Sequence, residues 1–118
     1  MEDFTRELQA FVAERNWQGY HTPKNLSMGL SIEAAELMEH FLWLTPEESM
    51  QLAPATRQAV LDEIGDVLIY AVQLCNHFGV DPLTIVRSKL EKVRQKYPAE
   101  EVRGENFKSF VPSPAKEP

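Results

Sequence analysis

The stretch LDEIGDVLIY, residues 61–70, decides the fold, because an acidic pair, Glu63 and Asp66, lies among its apolar residues. On a helix, their i, i+3 spacing puts both carboxylates on one face, one turn apart. A second pair with the same spacing, Glu33 and Glu36, interrupts the apolar stretch IEAAEL. Like charges that share an apolar face repel one another and lose hydration. They need a compensating positive charge, and a bound divalent cation is its simplest source.

Apolar residues at helical spacing, separated by proline and glycine, predict an all-α chain. Four main helices are expected, at residues 2–15, 25–44, 54–78 and 82–96, with a loop over residues 16–24 and a short helix that begins at Pro46. Thr45 and Glu48 have the pattern of a capping box at the short helix, and Gly79 is the expected stop of the third main helix.

The second and third main helices are apolar nearly all round, so they are expected to be buried on every side. Four short helices do not bury two such rods by themselves. We therefore expect a helical bundle that is completed by homo-oligomerisation, as a dimer or a tetramer. The alternative is a monomer that keeps an exposed apolar surface.

Length, composition and charge limit the class of protein. A chain of 118 residues with 43% hydrophobic residues predicts one helical domain over residues 1–110, followed by a Pro-rich disordered tail, residues 111–118. The net charge of −6 argues against partners such as nucleic acid or a membrane surface. The single Cys75 excludes an intrachain disulfide and a cysteine zinc site. Acidic residues interrupt the first segment, so we expect no signal peptide and a cytoplasmic location.

Helices joined by a short connection tend to pack antiparallel, which would bring the two acidic pairs together in one pocket. Mg²⁺ suits such a pocket, because it takes oxygen ligands, keeps water and completes its coordination with substrate phosphates, and Mn²⁺ is the alternative ion. Gly65 is expected to let the helices approach closely. A di-iron site is disfavoured, because His40 follows Glu36 by four residues rather than three. The simpler interpretation, two solvated acidic faces, stays open here.

Aromatic residues accompany both acidic pairs. Trp43 follows Glu36 by seven residues, and Tyr70 follows Glu63 by seven, so both rings are expected on the carboxylate faces. In an antiparallel pair these rings lie at opposite ends of the cluster, and a base pocket would take one of them from a neighbouring subunit. Flat rings with a polar edge suit a nucleobase, although ordinary core aromatics fit the spacing equally well. Further candidates are Trp17 and His21 for stacking. For phosphate they are Lys24 and either Lys89 or Arg94.

Taken together, these residues resemble the all-α nucleotide pyrophosphohydrolases of the MazG type, and within them the dCTP pyrophosphatase branch. The family signature is Glu-x-x-Glu, a spacer, and Glu-x-x-Asp, which the two acidic pairs match. The accompanying motifs are WxxxHxPKNL (17–26), FLW (41–43), DVLIY (66–70), SKL (88–90), and YP with a following RG (97–98 and 103–104). Many MazG proteins carry an additional Glu where this chain has Ile32, and relatives often carry Asn in place of Val93.

The resemblance implies hydrolysis of a nucleoside triphosphate to a monophosphate and pyrophosphate by a Mg²⁺-dependent dimer or tetramer. The implied metal ligands are Glu33, Glu36, Glu63 and Asp66, with Glu36 or Glu33 as the catalytic base. The side chains implied to frame the base and sugar are Trp17, His21, Trp43 and Tyr70, and those near the substrate are Lys24, Asn25 and Lys89. The expected substrate is dCTP or a modified dCTP. Alternatives are dUTP or another non-standard nucleotide, and, in a different class, a non-catalytic helical scaffold.

Overall fold

A computed structural model describes residues 1–102 of the chain, which form helices and turns without a strand among them. The helices are α1 (Glu2–Glu14), a 3₁₀ helix (Gln18–Tyr20), α2 (Pro23–Glu39), α3 (Pro46–Ser49), α4 (Pro54–Phe78), α5 (Pro82–Lys96) and α6 (Ala99–Val102). The all-α prediction is confirmed. The expected tail, residues 111–118, the RG motif at 103–104 and the domain end at residue 110 lie outside the described residues.

The chain divides into two compact units, Met1–Pro82 and a second that begins at Leu83. In the second unit, α5 exposes apolar side chains such as Val86 and ends with basic residues, Arg94 and Lys96. Cations at this end complement the partial negative charge of the helix C-terminus. In the residues described, no helix has the length and apolar character that crossing a membrane requires.

In the first unit, α2 packs antiparallel along α4, and α1 also packs against α4. Gly29 adjoins Tyr70, whereas Glu33 and His40 lie near Glu63, so rising residue numbers on α2 meet falling numbers on α4. The buried apolar side chains come from all three helices: Leu8, Leu26, Val60 and Val72.

A close approach between α2 and α4 occurs at Gly29. A Cβ built at Gly29 would lie 2.5 Å from Cε1 and 2.6 Å from Cζ of Tyr70, so the tyrosine ring packs directly on the α2 backbone. The expectation that Gly65 provides this approach is wrong, because a Cβ at Gly65 would meet nothing within 4 Å.

Local chemistry sets several helix ends. The predicted capping box is present: Glu48 N donates to Thr45 Oγ1 at 3.1 Å, and Thr45 N donates to Glu48 Oε1 at 2.8 Å. Gly79 ends α4 with φ 67°, a left-handed conformation that glycine adopts without steric cost. Thr22 accepts a hydrogen bond from Asn25 N at 3.2 Å and thereby caps α2, which begins at Pro23, inside the segment expected to be a loop.

The predicted end of the second helix at Leu44 is wrong, because α2 ends at Glu39. Thr45 precedes a proline, which disfavours helical backbone, and it adopts the extended ψ of 162°. The chain therefore leaves the helix earlier, through tighter i, i+3 hydrogen bonds such as Leu44 N to Phe41 O at 3.0 Å. As a result, Trp43 lies in a turn and is 88% exposed, so its expected place on a helical carboxylate face is also wrong.

Large apolar side chains stay exposed on both long helices of the first unit. Ile32 on α2 is 57% exposed and Leu68 on α4 is 55% exposed. Other apolar side chains of the two helices share this exposure: Met28, Met38, Leu61 and Ile64. The two helices are thus less covered than their composition predicts, and burial by oligomerisation stays a prediction.

Candidate metal centre and adjoining cavity

Three carboxylates converge where α2 packs on α4. One oxygen each from Glu33, Glu36 and Glu63 lies within 4.8 Å of the other two. The i, i+3 spacing turns Glu33 and Glu36 to one face of α2, and the antiparallel packing sets Glu63 against them. Asp66 lies one turn beyond Glu63, where its charge acts on Glu33, and it lines a cavity together with Glu33. The structure therefore brings all four predicted ligands to one region, three of them in a tight cluster.

The crowding of these carboxylates changes the pKa of one of them. The pKa of Glu33 is raised from 4.5 to about 7, mainly by burial, and in addition by hydrogen bonds with Glu63 and Glu36 and by the charges of Glu36 and Asp66. Oε2 of Glu33 and Oε2 of Glu63 are shielded from solvent, and neither is hydrogen-bonded to any group in residues 1–102. Two buried, unpartnered carboxylate oxygens require a proton or a cation. The donor set, made of oxygens alone, fits a hard divalent ion such as Mg²⁺ or Mn²⁺.

His40 lies beside this cluster, although its spacing from Glu36 excluded it as a di-iron ligand. Its Nε2 lies 3.9 Å from Oε1 of Glu63, and both side chains are partly buried. His40 sits near the C-terminal end of α2, so it borders the carboxylates on the side away from Gly29. Only its position four residues after Glu36, on the same helical face, signals this contact in the sequence.

A cavity of about 370 Å³ adjoins the carboxylates. Its wall combines Glu33 and Asp66 with aromatic rings and with a polar pair, and these further lining residues include Phe11, Trp17, Tyr70, His21 and Gln73. The volume falls in the range of small-molecule sites, about 300–1,000 Å³. An acidic end and a ring-lined end thus meet in one cavity.

Three of the four predicted base-framing side chains line this cavity. Trp17 lies edge-on to Phe11, with ring centroids 5.7 Å apart, and edge-on to His21 at 6.2 Å. Tyr70, whose ring packs on Gly29, also lines the cavity. The fourth, Trp43, lies in the exposed turn after α2, apart from these rings.

The predicted substrate neighbours differ in their surroundings. Asn25 donates through Nδ2 to the carbonyl oxygen of Tyr20 at 3.0 Å, so its amide holds the 3₁₀ turn that precedes His21. Lys24 is exposed at the start of α2. Lys89 is exposed on α5, in the second unit. The substrate contacts of these three residues stay predictions.

The sequence analysis does not predict Gln73 as a site residue, yet Gln73 lines the cavity and contacts His21. The Nε2 atom of Gln73 lies 3.4 Å from Nδ1 of His21, across 52 residues of sequence. The signal in the sequence is its spacing, three residues after Tyr70 and seven after Asp66, which keeps Gln73 on the same face of α4.

Comparison with known proteins places the chain in a family. Residues 29–109 match the sequence pattern of the MazG-like family. The chain is 41% identical over 106 residues to dCTP pyrophosphatase 1 of Rattus norvegicus, which covers 88% of this chain and 62% of that protein. It is 39% identical over 110 residues to dCTP pyrophosphatase 1 of Homo sapiens, which covers 92% of this chain and 65% of that protein. The chain thus spans slightly less than two thirds of the length of these relatives.

A solved structure agrees with the sequence comparison. The crystal structure of a pyrophosphatase from Archaeoglobus fulgidus DSM 4304 superposes with a TM-score of 0.77 at 41% identity, over 83% of this chain and 92% of that one. The family match extends over most of the chain, and this solved relative is similar to it in both sequence and helical fold. The chain belongs to the MazG-like family.

Proposed function

We propose that this chain hydrolyses a nucleoside triphosphate, dCTP or a modified dCTP, to the monophosphate and pyrophosphate with the help of Mg²⁺, or alternatively Mn²⁺. The observation that carries the proposal is the carboxylate cluster with two buried, unpartnered oxygens, directly beside an aromatic-lined cavity. The rat and human relatives, which are named dCTP pyrophosphatase 1, support the choice of substrate. A nucleotide matches both parts of the site, since its phosphates suit the metal centre and its base suits the rings.

The reaction breaks the bond between the α- and β-phosphates, adds the oxygen of a water molecule to phosphorus, and releases one proton. The cation would be held by Glu33, Glu36, Glu63 and Asp66, and it would supply positive charge for the phosphates and make a water molecule more acidic. Glu33 or Glu36 accepts the released proton. Both carboxylates belong to the cluster that adjoins the cavity, so either one is placed to act as the base.

The base is framed by Trp17, Tyr70 and His21, whose rings line the cavity. Base–aromatic stacking contributes about 1–3 kcal/mol per base. Lys24 and Lys89 are the proposed cationic neighbours of the phosphates. Asn25 contributes indirectly, because its amide anchors the turn that carries His21.

A homo-oligomer, dimer or tetramer, completes this proposal. The exposed apolar residues on α2 and α4, with Ile32 and Leu68 each more than half exposed, supply surface for a second copy. Trp43, at 88% exposure, is then available to stack on a base held by a neighbouring subunit. Light scattering coupled to size-exclusion chromatography measures the assembly directly, and a monomer at working concentration would contradict this part.

A pyrophosphate-release screen tests the proposed activity. The purified chain is assayed with Mg²⁺ against dCTP, 5-methyl-dCTP, dUTP and the other common nucleotides, together with Glu63→Gln and the control Glu39→Gln on the exposed side of α2. We expect release from dCTP or its methylated form, loss of turnover in Glu63→Gln, and full activity in Glu39→Gln. Absence of pyrophosphate with every nucleotide would favour a helical scaffold without catalysis, and an active Glu63→Gln variant would remove the metal centre from the mechanism.

A further inference from the structure

The site face of α4 continues beyond the proposed metal ligands. Glu63, Asp66, Tyr70 and Gln73 follow one another at intervals of three, four and three residues, so they form one stripe along the helix. Seven residues separate Asp66 from Gln73, about 10 Å of helix axis at 1.5 Å per residue. Both side chains line the same cavity. A nucleoside with its 5′ phosphate at Asp66 therefore presents its base toward Gln73.

The Gln73 amide is oriented by its neighbour. Its Nε2 lies 3.4 Å from His21 Nδ1 in a partly buried contact, and because an amide nitrogen only donates, this placement pairs it with the imidazole tautomer whose Nδ1 accepts. This contact uses one of the two N–H groups of the amide. The carbonyl oxygen Oε1 and the second N–H then form a planar acceptor–donor pair for a ligand.

We infer that Gln73 selects the nucleobase in this cavity, and that it favours a base with an exocyclic amine beside an unprotonated ring nitrogen, as cytosine has at N4 and N3. This inference rests on the proposed nucleotide hydrolysis. Gln73 Oε1 accepts from the exocyclic amine, while its second N–H donates to the ring nitrogen. The same bidentate match lets glutamine recognise adenine in DNA.

Uracil reverses this edge, because it has a carbonyl beside a ring N–H. The amide would have to turn over to match it, and that rotation would set Oε1 of Gln73 against Nδ1 of His21. The existing hydrogen bond would be lost unless the imidazole changed its tautomer. His21 thus acts as a positioning residue that fixes the direction of the amide.

Several other polar groups of the cavity are less suited to this choice. Glu33 and Asp66 belong to the proposed metal centre, and Tyr70 and Trp17 present rings for stacking. A hydroxyl rotates to suit either base edge, whereas an amide held on one side keeps donor and acceptor in fixed places.

The test is the ratio of kcat/KM for dCTP to kcat/KM for dUTP, two substrates of nearly equal size and stacking surface. One good bidentate pair discriminates by about 1–3 kcal/mol, or roughly 5- to 150-fold. We expect the wild-type ratio to lie in this range and to fall close to one in Gln73→Leu. Gln73→Glu keeps an acceptor but loses the donor to N3, so its ratio should also fall.

Two control variants, each with an amide replaced by leucine, test whether the change in the dCTP/dUTP ratio is specific to Gln73. Gln58→Leu changes an exposed residue on the same helix, outside the cavity. Asn76→Leu changes a neighbouring cavity of about 420 Å³, whose wall Gln73 and His21 share. Both variants should keep the wild-type ratio. Circular dichroism of each variant checks that the helices are retained.

The possible results distinguish the role of Gln73 from the proposed hydrolysis. An active enzyme whose dCTP/dUTP ratio is the same in wild type, Gln73→Leu and Gln73→Glu overturns the role of Gln73 and leaves the proposed hydrolysis intact. An equal loss for both substrates assigns Gln73 to packing and overturns its role as well. If the dCTP/dUTP ratio falls in Asn76→Leu, the base is selected in the neighbouring cavity, and the role of Gln73 is overturned. Absence of hydrolysis of any nucleotide by the wild type removes the proposed function itself.

Discussion

Replacing Gly29 by alanine tests the packing that sets the distance between α2 and α4. The new Cβ would lie 2.5 Å from Cε1 and 2.6 Å from Cζ of Tyr70. Carbon atoms in favourable contact lie about 3.5–4.0 Å apart, so the ring or the helices must move by about 1 Å. Overpacking of this kind raises the free energy of the folded state by about 1–3 kcal/mol.

Gly65 is the matched control, because it also lies inside a helix but its Cβ would meet nothing within 4 Å. Gly65→Ala should therefore gain only helix propensity and stabilise the fold by about 1 kcal/mol. Gly29→Ala receives the same gain, so its net effect lies between neutral and about 2 kcal/mol of destabilisation. The difference between the two variants isolates the packing cost of about 1–3 kcal/mol.

Urea unfolding followed by circular dichroism measures both variants, without metal and at one protein concentration, because association would shift the apparent stability. A further pair of proteins carries Tyr70→Leu, which removes the ring atoms that a Cβ at Gly29 would meet. In that background Gly29→Ala should become as stabilising as Gly65→Ala, since contacting residues give non-additive effects. If Gly29→Ala stabilises the parent protein as much as Gly65→Ala does, the described contact between Gly29 and Tyr70 is refuted.

Three further predictions follow from the carboxylates and the capping box. Because the pKa of Glu33 is raised from 4.5 to about 7, its contribution to metal-free stability is fully present below pH 4.5 and is lost as pH rises through 7. Stabilisation by Mg²⁺, measured as a shift in Tm, should grow over the same range, because the ion displaces the proton, and a pH-independent shift would contradict this. Glu63→Gln should raise the metal-free Tm by removing one like charge and should abolish the Mg²⁺ shift, whereas Glu39→Gln should do neither. Thr45→Ala should lower the free energy of unfolding by about 1 kcal/mol, and Thr45→Ser, which keeps the capping oxygen, should restore most of it in urea titrations.

The sequence predicts those features that neighbouring residues decide. The capping box needs only Thr45 and Glu48, and the stop at Gly79 needs only one residue that tolerates a positive φ. Likewise, the i, i+3 spacing alone turns Glu33 and Glu36 to one face of α2. The acidic pairs meet because α2 and α4 pack antiparallel, across a connecting segment, residues 40–53, that contains α3. The fold class and the acidic cluster can therefore be predicted from residues that are close in the sequence.

Features that depend on contacts between distant segments are not readable in this way. Helical periodicity carried past Glu39 placed Trp43 on the carboxylate face, but the extended backbone before Pro46 ends the helix sooner. Both Gly29 and Gly65 are glycines within helices, and only the position of Tyr70 decides which one permits close packing. Spacing along α4 allows Gln73 a place on the site face, but its partner His21 comes from a loop 52 residues away.

The α2–α4 interface makes the metal centre and the cavity parts of one structure. Glu33 belongs to both, since it joins the carboxylate cluster and lines the cavity. The register of the two helices is set at one end by Tyr70 on Gly29 and by the burial of Leu26, while the acidic cluster beyond them opposes close packing. A positive charge in the cluster relieves that repulsion without changing the apolar contacts. Binding of a proton or a cation at Glu33 therefore changes the packing at the acidic end of the cavity, where a phosphate would lie. The end formed by the rings and the amide is held by uncharged contacts.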